Sequence, residues 1–307
     1  MPREIPTQNA QKGGPEQGPV FKRSTSARHA LDWVFIVFLF IATMIGLVVL
    51  AVLLVDIAMD GVPRLSWKFL TSFPSVIPEN SGIYPALLGS VWLLALTALI
   101  SVPLGIGAAV YLEEYAPDTR LTRLIEVNIS NLAGVPSIIY GLLGLGIFVN
   151  LLPTVTGGES ILSGALTLSL LILPIIIIAT REALRTVPDA VREGGYALGA
   201  TRWEVIRSHL LPMALPGALT GTILALSRAI GEAAPLIVVG AATYITFAPT
   251  GPQSNYSALP ILIFSWISQP QPGFQTAAAA GIVVLMIVLL LTNSVAIWLR
   301  NKYQRRV

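Results

Sequence analysis

Arg228 and Glu232 lie four positions apart in a stretch that is otherwise apolar, Leu226 to Gly240. At this spacing two side chains lie on one face of a helix, where opposite charges can partly neutralise each other. The guanidinium of an arginine can bind two oxygens of an oxyanion while its charge offsets the desolvation of that anion. Glu232 would compete for Arg228 and keep such a site weak enough to release the anion. The alternative is an ion pair within the helix that only fixes packing.

The surrounding chain has the composition of a membrane protein. Hydrophobic residues make up 54% and charged residues 11% of the sequence, whereas globular domains average about 45–50% and about 25%. The apolar residues also cluster into stretches near the roughly 20 residues that cross a bilayer. We predict an all-α membrane protein with six transmembrane helices, at Trp33 to Val55, Tyr84 to Leu112, Leu132 to Leu151, Ile161 to Thr180, Ala218 to Gly240 and Thr276 to Leu299.

The position of the charged pair in the fifth span follows from helix geometry. If that helix begins near Ala218, a rise of about 1.5 Å per residue puts Arg228 roughly 15 Å into it, and Glu232 one turn further. Both residues would then lie near the bilayer midplane, where an isolated charge costs about 2.5–3.5 kcal/mol. Each must therefore face protein, water or a partner charge.

Lysine and arginine fall almost entirely on one side of the predicted spans. That side carries Arg3, Lys12, Lys22, Arg23, Arg28, Arg120, Arg123, Arg181, Arg185, Arg192, Arg202, Arg207, Arg300, Lys302, Arg305 and Arg306. The other side has only Arg64 and Lys68. Because positively charged loops are retained in the cytoplasm, both termini are predicted to be cytoplasmic. Residues 1–30 are polar and of low complexity, which predicts a disordered tail.

Several kinds of chemistry are excluded by the residues available. The chain has no cysteine and two histidines, His29 and His209, which are far apart in the sequence. No lysine follows a glycine, so there is no P-loop, and no Gly-x-Ser-x-Gly nucleophile elbow occurs. We therefore predict neither a catalytic nor a metal site. If the protein uses ATP, another subunit must bind it.

The loop at residues 188–216, after the fourth span, predicts two short helices on the cytoplasmic side. Gly199 would separate them, and Thr201 with Glu204 three positions later forms a capping box at the start of the second. Pro212 is predicted to end the second helix. A helical pair with an apolar face at this position needs a partner against which that face can be buried.

This loop resembles the EAA loop of ABC-importer permeases, the coupling helix that docks into a groove of the ATPase subunit. The resemblance rests on Glu193-Gly-Gly, on Gly199, and on His209-x-Leu211-Pro212. Two glycines replace the usual alanine pair, and His209 stands where an aliphatic residue is usual. The resemblance implies that ATPase coupling depends on Glu193, Gly199, Ala200, Trp203, Leu211 and Pro212.

Three stretches together resemble the PstA-type permease subunits of phosphate ABC importers, from about Tyr84 to the C-terminus. They are Asn131 to Gly141, Tyr196 to Trp203 and Ser227 to Leu236. The Gly231-Glu-Ala-Ala-Pro235 ending, together with Leu259 to Trp266, favours this type over the paralogous PstC type.

The resemblance implies a MetI-like ABC-permease fold in the bacterial cytoplasmic membrane. It implies a transmembrane domain at residues 84–300 with its coupling loop at 188–216, while the apolar pattern predicts a first helix and external loop at 31–83 before it and a cytoplasmic tail at 301–307 after it. Expected partners are a PstC-type permease, a PstB-type ATPase dimer and an external PstS-type phosphate-binding protein. ATP and Mg would be bound by the ATPase, and this chain would bind no cofactor.

Other readings of the sequence stay open. Ser137 and Tyr140 of the third span could line a pathway beside Arg228 and Glu232, or could serve packing alone. The same arginine could serve another oxyanion, such as sulfate, molybdate or phosphonate. An anion channel independent of any ATPase is the second alternative. An integral-membrane enzyme is the third, which the lack of an acid, base and nucleophile cluster disfavours.

Overall fold

The computed structural model describes residues 25–304, and every regular element within that range is helical. The helices are α1 (Thr25–Gly61), α2 (Trp67–Thr71), α3 (Tyr84–Val110), α4 (Arg120–Leu132), α5 (Ser137–Gly144), α6 (Pro153–Thr156), α7 (Ile161–Arg185), α8 (Asp189–Ala197), α9 (Arg202–Val205), α10 (Leu211–Gly231), α11 (Ala234–Val238), α12 (Leu259–Ile267) and α13 (Pro272–Gln304). Short 3₁₀ turns occur at Val62–Arg64 and Pro78–Asn80.

The chain divides into two compact units, Met1–Val55 and Asp56–Val307. In the first unit, the part of α1 from Asp32 onward exposes nearly all of its side chains, which are apolar from Trp33 to Val55. A helix that is apolar all round and about 20 residues or longer suits a lipid environment. The predicted tail at 1–30 overlaps α1, which begins at Thr25, and residues 1–24 lie outside the described part of the chain.

The long helices agree with most of the predicted spans. Five helices within the described residues are long and apolar enough to cross a membrane, and a bent pair brings the number to as many as six. Each of the five extends past its predicted span at one end or both: Asp32–Arg64, Tyr84–Tyr115, Ile161–Arg185, Arg202–Gly231 and Pro272–Lys302. The chain is therefore a multi-pass membrane protein.

The third predicted span, Leu132 to Leu151, begins too early, because its first residues form a turn and the helix within it starts at Ser137. Helices α4 and α5 meet at an angle of 106° across a break of four residues, and α5 continues through a π-helical segment to Leu151. Pro136 is the N-cap of α5. Its ring removes a backbone donor and restricts the residue before it, so the chain turns here instead of continuing from α4.

The fifth predicted span, Ala218 to Gly240, is wrong at both ends. The helix already begins at Arg202 and ends at Gly231, after which Glu232 is extended with φ −82° and ψ 111°. Pro235 cannot donate the hydrogen bond that a continuing helix would need, which accounts for the stop. Pro212 does not end a helix as predicted, because a π-helical turn at Ile206–Leu210 precedes it and the helix passes through.

Small residues bring α3, α7 and α10 close together. A Cβ added to Gly105 of α3 would lie 2.6 Å from Cγ2 of Ile176 on α7. One added to Gly217 of α10 would lie 2.7 Å from Cβ of Ala183 on α7. Contacts this short require glycine, because small residues are what allow membrane helices to approach closely. These three helices form the centre of the second unit.

The other end of α3 packs against the segment that precedes α13. The hydroxyl of Ser90 accepts a hydrogen bond from the backbone N–H of Leu259, the first residue of α12, at 2.8 Å. Trp266 of α12 packs between Phe69 and Phe274, with ring centroids 6.1 and 6.4 Å away. Helix α12, which is too short to cross a membrane, is therefore a buried part of the bundle.

Candidate functional site

Arg228 and Glu232 form an ion pair across the end of a helix. Arg228 lies in the last turn of α10, and Glu232 is the residue that caps it. The Nε of Arg228 donates to Oε1 of Glu232 at 3.2 Å, and the two side chains are 42% and 18% exposed. The positive charge lies near the unpaired carbonyl groups of the helix terminus, which favour it. The predicted contact between the two side chains is confirmed, but it lies at the end of a helix and not in its middle.

Tyr140 of α5 is a buried structural tie. Its hydroxyl donates to the carbonyl of Leu132 at 2.8 Å, so it holds the two arms of the bent α4–α5 pair together. Its ring is 5% exposed and packs against Ala225 and Ala229 of α10. Ser137, one turn earlier on α5, is half-buried.

Helix α5 also packs against the segment that follows Arg228. A Cβ on Gly141 would lie 2.8 Å from Cα of Pro235 in α11, so the two backbones are in direct contact. Through this contact and the packing of Tyr140 on Ala229, α5 lies beside the turn that carries Arg228 and Glu232. The structure therefore brings the four predicted pathway residues into one region, while the hydroxyl of Tyr140 is already used by Leu132.

The predicted helical pair is present as α8 and the start of the α9–α10 helix. Gly199 separates them with a φ of +82°, a conformation that favours glycine. The hydroxyl of Thr201 accepts a hydrogen bond from the N–H of Glu204, and the Glu204 carboxylate accepts one from the N–H of Thr201 at 2.7 Å. The predicted capping box is confirmed.

The predicted coupling residues divide into an outward and an inward set. Glu193, Gly199 and Trp203 are exposed, together with the neighbouring Tyr196 and Leu198, whose side chain is 90% exposed. Ala200 and Leu211 instead pack against the buried cluster of Val205, Ile206 and Leu210, and Pro212 is half-buried. The outward set forms an exposed tip with three large apolar or aromatic side chains, Tyr196, Leu198 and Trp203, whereas the inward set packs that tip onto the bundle.

A network of buried ion pairs fixes the end of the bundle that carries α8. Arg181 of α7 donates from Nε to Glu113 at 3.2 Å and from Nη2 to Glu126 of α4 at 2.7 Å. Arg185 reaches the other oxygen of Glu113 at 2.9 Å. Arg181 and Glu113 are only 11% and 17% exposed. The pairs thus join the middle of α4 to the ends of α3 and α7.

Arg192 of α8 extends this network to the helical pair. Its Nη2 donates to Glu114 at 2.9 Å and to the carbonyl of Leu184 at 3.1 Å, and its Nη1 donates to the carbonyl of Val187 at 2.9 Å. The side chain of Glu114 is 6% exposed. The hydrogen bond to Glu114 raises the pKa of Arg192 above its ordinary value, because it stabilises the charged form.

Comparison with known families gives the chain its class. Residues 101–307 match the family described as "Binding-protein-dependent transport system inner membrane component". The chain belongs to this family. It is thus a permease component of a transport system.

Individual relatives agree with the family along most of the permease. The chain is 37% identical over 264 residues to the probable ABC transporter permease protein YqgI of Bacillus subtilis. The match covers 82% of this chain and 88% of that protein. The chain is 34% identical over 299 residues to the phosphate transport system permease protein PstA 1 of Mycobacterium tuberculosis H37Rv, covering 95% and 94%.

A solved structure shows the same fold. The permease matches a chain of the inward-facing MetNI methionine ABC transporter with a TM-score of 0.58 at 20% identity, covering 72% of the permease and 97% of that chain. The predicted MetI-like ABC-permease fold is therefore confirmed.

Sequence reasoning missed the buried network of this permease. Arg181, Arg185 and Arg192 were used only to orient the chain, and Glu113 and Glu114 were left just beyond the predicted second span. Two adjacent carboxylates directly after an apolar helix could have signalled partners, since charges there are retained when they are paired. The partners of these two carboxylates lie 68 to 78 positions away, which no local pattern reveals.

Proposed function

We propose that this permease is one transmembrane subunit of an ATP-driven importer that carries inorganic phosphate across the bacterial cytoplasmic membrane. The observation that carries the proposal is its 34% identity to a phosphate transport system permease over 95% of the chain. Residues 84–300 would form the transmembrane domain, and both termini would be cytoplasmic. Its partners would be a PstC-type permease, a PstB-type ATPase dimer and an external PstS-type phosphate-binding protein.

The exposed pair at the end of α10 supports an oxyanion as the cargo. A guanidinium can donate to two phosphate oxygens, and the Arg228 side chain is 42% exposed and held by a single carboxylate. Glu232 would be displaced when phosphate arrives and would return when it leaves, which keeps binding reversible. Ser137 and Tyr140 would shape the wall beside this pair, with Tyr140 acting through its packing and its bond to Leu132.

The α8–α9 tip supports coupling to a separate ATPase. Its exposed residues, Glu193, Gly199 and Trp203, would enter the groove of the partner, while Ala200, Leu211 and Pro212 would anchor the tip. The ATPase would bind ATP and Mg. Closure of its dimer would move the tip, and the continuous helix from Arg202 to Gly231 would carry that motion toward Arg228.

Uptake of radiolabelled phosphate in cells tests this function. Cells would carry the native chain, Arg228→Gln, or the control Arg123→Gln, whose pair with Asp118 is highly exposed. We expect phosphate uptake that excess sulfate and molybdate do not block, that requires the partner ATPase, and that Arg228→Gln abolishes while still reaching the membrane. Uptake blocked by the other oxyanions would contradict phosphate as the cargo, and uptake without the ATPase would indicate a channel. Loss of uptake with Arg123→Gln as well would show that Arg228 is not specific.

A further inference from the structure

The α8 helix is attached to the bundle by more than its two chain connections. One guanidinium, that of Arg192, binds the carboxylate of Glu114 at the end of α3 and the carbonyls of Leu184 and Val187, in the last turn of α7 and just beyond it. Nε of the same side chain lies 3.3 and 3.5 Å from the two Glu114 oxygens. Arg192 therefore holds three helices at one point, with both oxygens of Glu114 engaged.

Burial makes this attachment difficult to release. The side chains of Arg192 and Glu114 are 17% and 6% exposed. If α8 moved away alone, a buried carboxylate would lose its partner, and an uncompensated buried charge is strongly unfavourable. The end of α3 must therefore follow α8 over small displacements. The planar donor fork of arginine also transmits direction, because it binds in a fixed geometry.

Helix α3 continues from this point to the opposite end of the bundle. Between its two ends it packs closely on α7 through Gly105 and Ile176. At its far end, Ser90 binds the backbone of Leu259, which starts α12. A displacement taken up at Glu114 would thus reach the buried α12 segment by a route separate from α10.

We propose that the Arg192–Glu114 pair is a second transmission point, which passes motion of the α8 helix to α3 in parallel with the α9–α10 helix. Arg192 acts as a positioning residue, and it contacts neither the cargo nor ATP. The inference rests on the proposed function, because it assumes that a partner ATPase moves α8. It implies that removing the pair separates ATP hydrolysis from transport.

The test uses the complete importer in proteoliposomes, with the native chain, Arg192→Gln, Glu114→Gln, the double exchange Arg192→Glu with Glu114→Arg, and the control Arg123→Gln. Hydrolysed ATP and imported radiolabelled phosphate are measured on the same preparation. Each single variant is expected to raise the ratio of ATP hydrolysed to phosphate imported by about tenfold, within the range of measured coupling effects. The double exchange should bring the ratio back toward the native value, although a carboxylate at position 192 could no longer bind the carbonyls at the end of α7.

Different failures have different signatures. A ratio that stays constant while hydrolysis and import fall together would make the pair purely structural and overturn the inference, as would native behaviour of both single variants. Absence of ATP-dependent phosphate import in the native and Arg123→Gln importers would instead contradict the proposed function, and the inference with it. If the glutamine variants do not assemble, Arg192→Lys and Glu114→Asp take their place, because they keep the charges but disturb the geometry of the donor fork. The same increase in ATP hydrolysed per phosphate imported is expected for them.

Discussion

The Arg228–Glu232 and Arg192–Glu114 pairs use the same two residue types at similar distances, 3.2 and 2.9 Å. They differ in what they join and in how deeply the rest of the chain buries them. The first links neighbouring turns at the end of one helix and leaves Arg228 42% exposed. The second joins separate helices and leaves Glu114 6% exposed.

This difference decides whether a charged pair is available to bind a ligand or instead stabilises the fold. An exposed ion pair contributes about 0–1 kcal/mol to stability, so the arginine can leave the carboxylate and bind a ligand at little cost. Removing one partner of a buried ion pair is strongly destabilising, so such a pair holds its helices together, and neither side chain is available to bind a ligand. Under the proposed function, the permease has a charged pair of low stability at the site proposed for the anion, and charged pairs of high stability where helices are joined.

The largest effect on stability is expected from Arg181→Gln. This change leaves Glu126 without its 2.7 Å partner and removes one of the two arginines on Glu113. One-sided loss of a buried pair costs about 3–5 kcal/mol, and we expect the lower end because Arg185 still binds Glu113. The SDS concentration that unfolds the purified protein measures this loss. Arg123→Gln is the control and should shift it little; equal shifts for both variants would remove the contrast between buried and exposed pairs.

Gly199→Ala tests the backbone that separates the two helices at the same end of the bundle. A residue with a side chain at φ +82° costs about 1–2 kcal/mol in the left-handed region. Gly194→Ala is the matched control, since an added Cβ meets open space at both positions and alanine favours the α8 helix by about 1 kcal/mol. Thermal unfolding should therefore move in opposite directions for the two variants, and a stabilising Gly199→Ala would disprove the strain.

Thr201→Ala removes the side-chain cap from the start of α9. Its hydroxyl accepts from the N–H of Glu204 at 3.3 Å, and loss of such a cap costs about 1 kcal/mol. Thr201→Ser keeps an oxygen at that position and should remain close to native in the same unfolding measurement. Equal losses for both variants would indicate that the methyl group, not the cap, stabilises the tip.

The smallest effect on stability is expected from Arg228→Gln, at roughly 0.5 kcal/mol or less, because the pair is partly exposed and within one chain segment. The same variant is expected to abolish phosphate uptake. SDS unfolding and uptake measured side by side would sharpen the comparison most. A loss of stability as large as that of Arg181→Gln would instead place Arg228 among the structural pairs.

Local patterns in the sequence predicted local structure well. The capping box of Thr201 and Glu204, the break at Gly199 and the contact between Arg228 and Glu232 depend on residues within four positions of each other, and all three are present. Apolar length likewise predicted the long helices, because the bilayer imposes one length on every span.

Features that depend on distant residues were missed or misplaced. Hydropathy does not distinguish a straight span from a bent one, so the turn at Pro136 and the stop at Gly231 were absorbed into single predicted helices. The prediction that Pro212 ends a helix was wrong, because the effect of this proline depends on the π-helical turn before it, which the local sequence does not reveal. The partners of Glu113 and Glu114 come from the packing of α3 on α7, which pairs residues far apart in the chain.

The π-helical turn at Ile206–Leu210 sets the angular phase of the helix that contains it. Such a turn holds one residue more than regular α-helical winding would. If the same residues were wound as a regular α-helix instead, everything that follows would be rotated by about 100°, the angle of one α-helical residue. Trp203 would still face outward on one side of the turn, but Arg228 would be turned away from Tyr140 and α5 on the other. The direction in which the charged pair points is therefore determined by the π-helical turn, which lies about five turns earlier at the opposite end of the same helix.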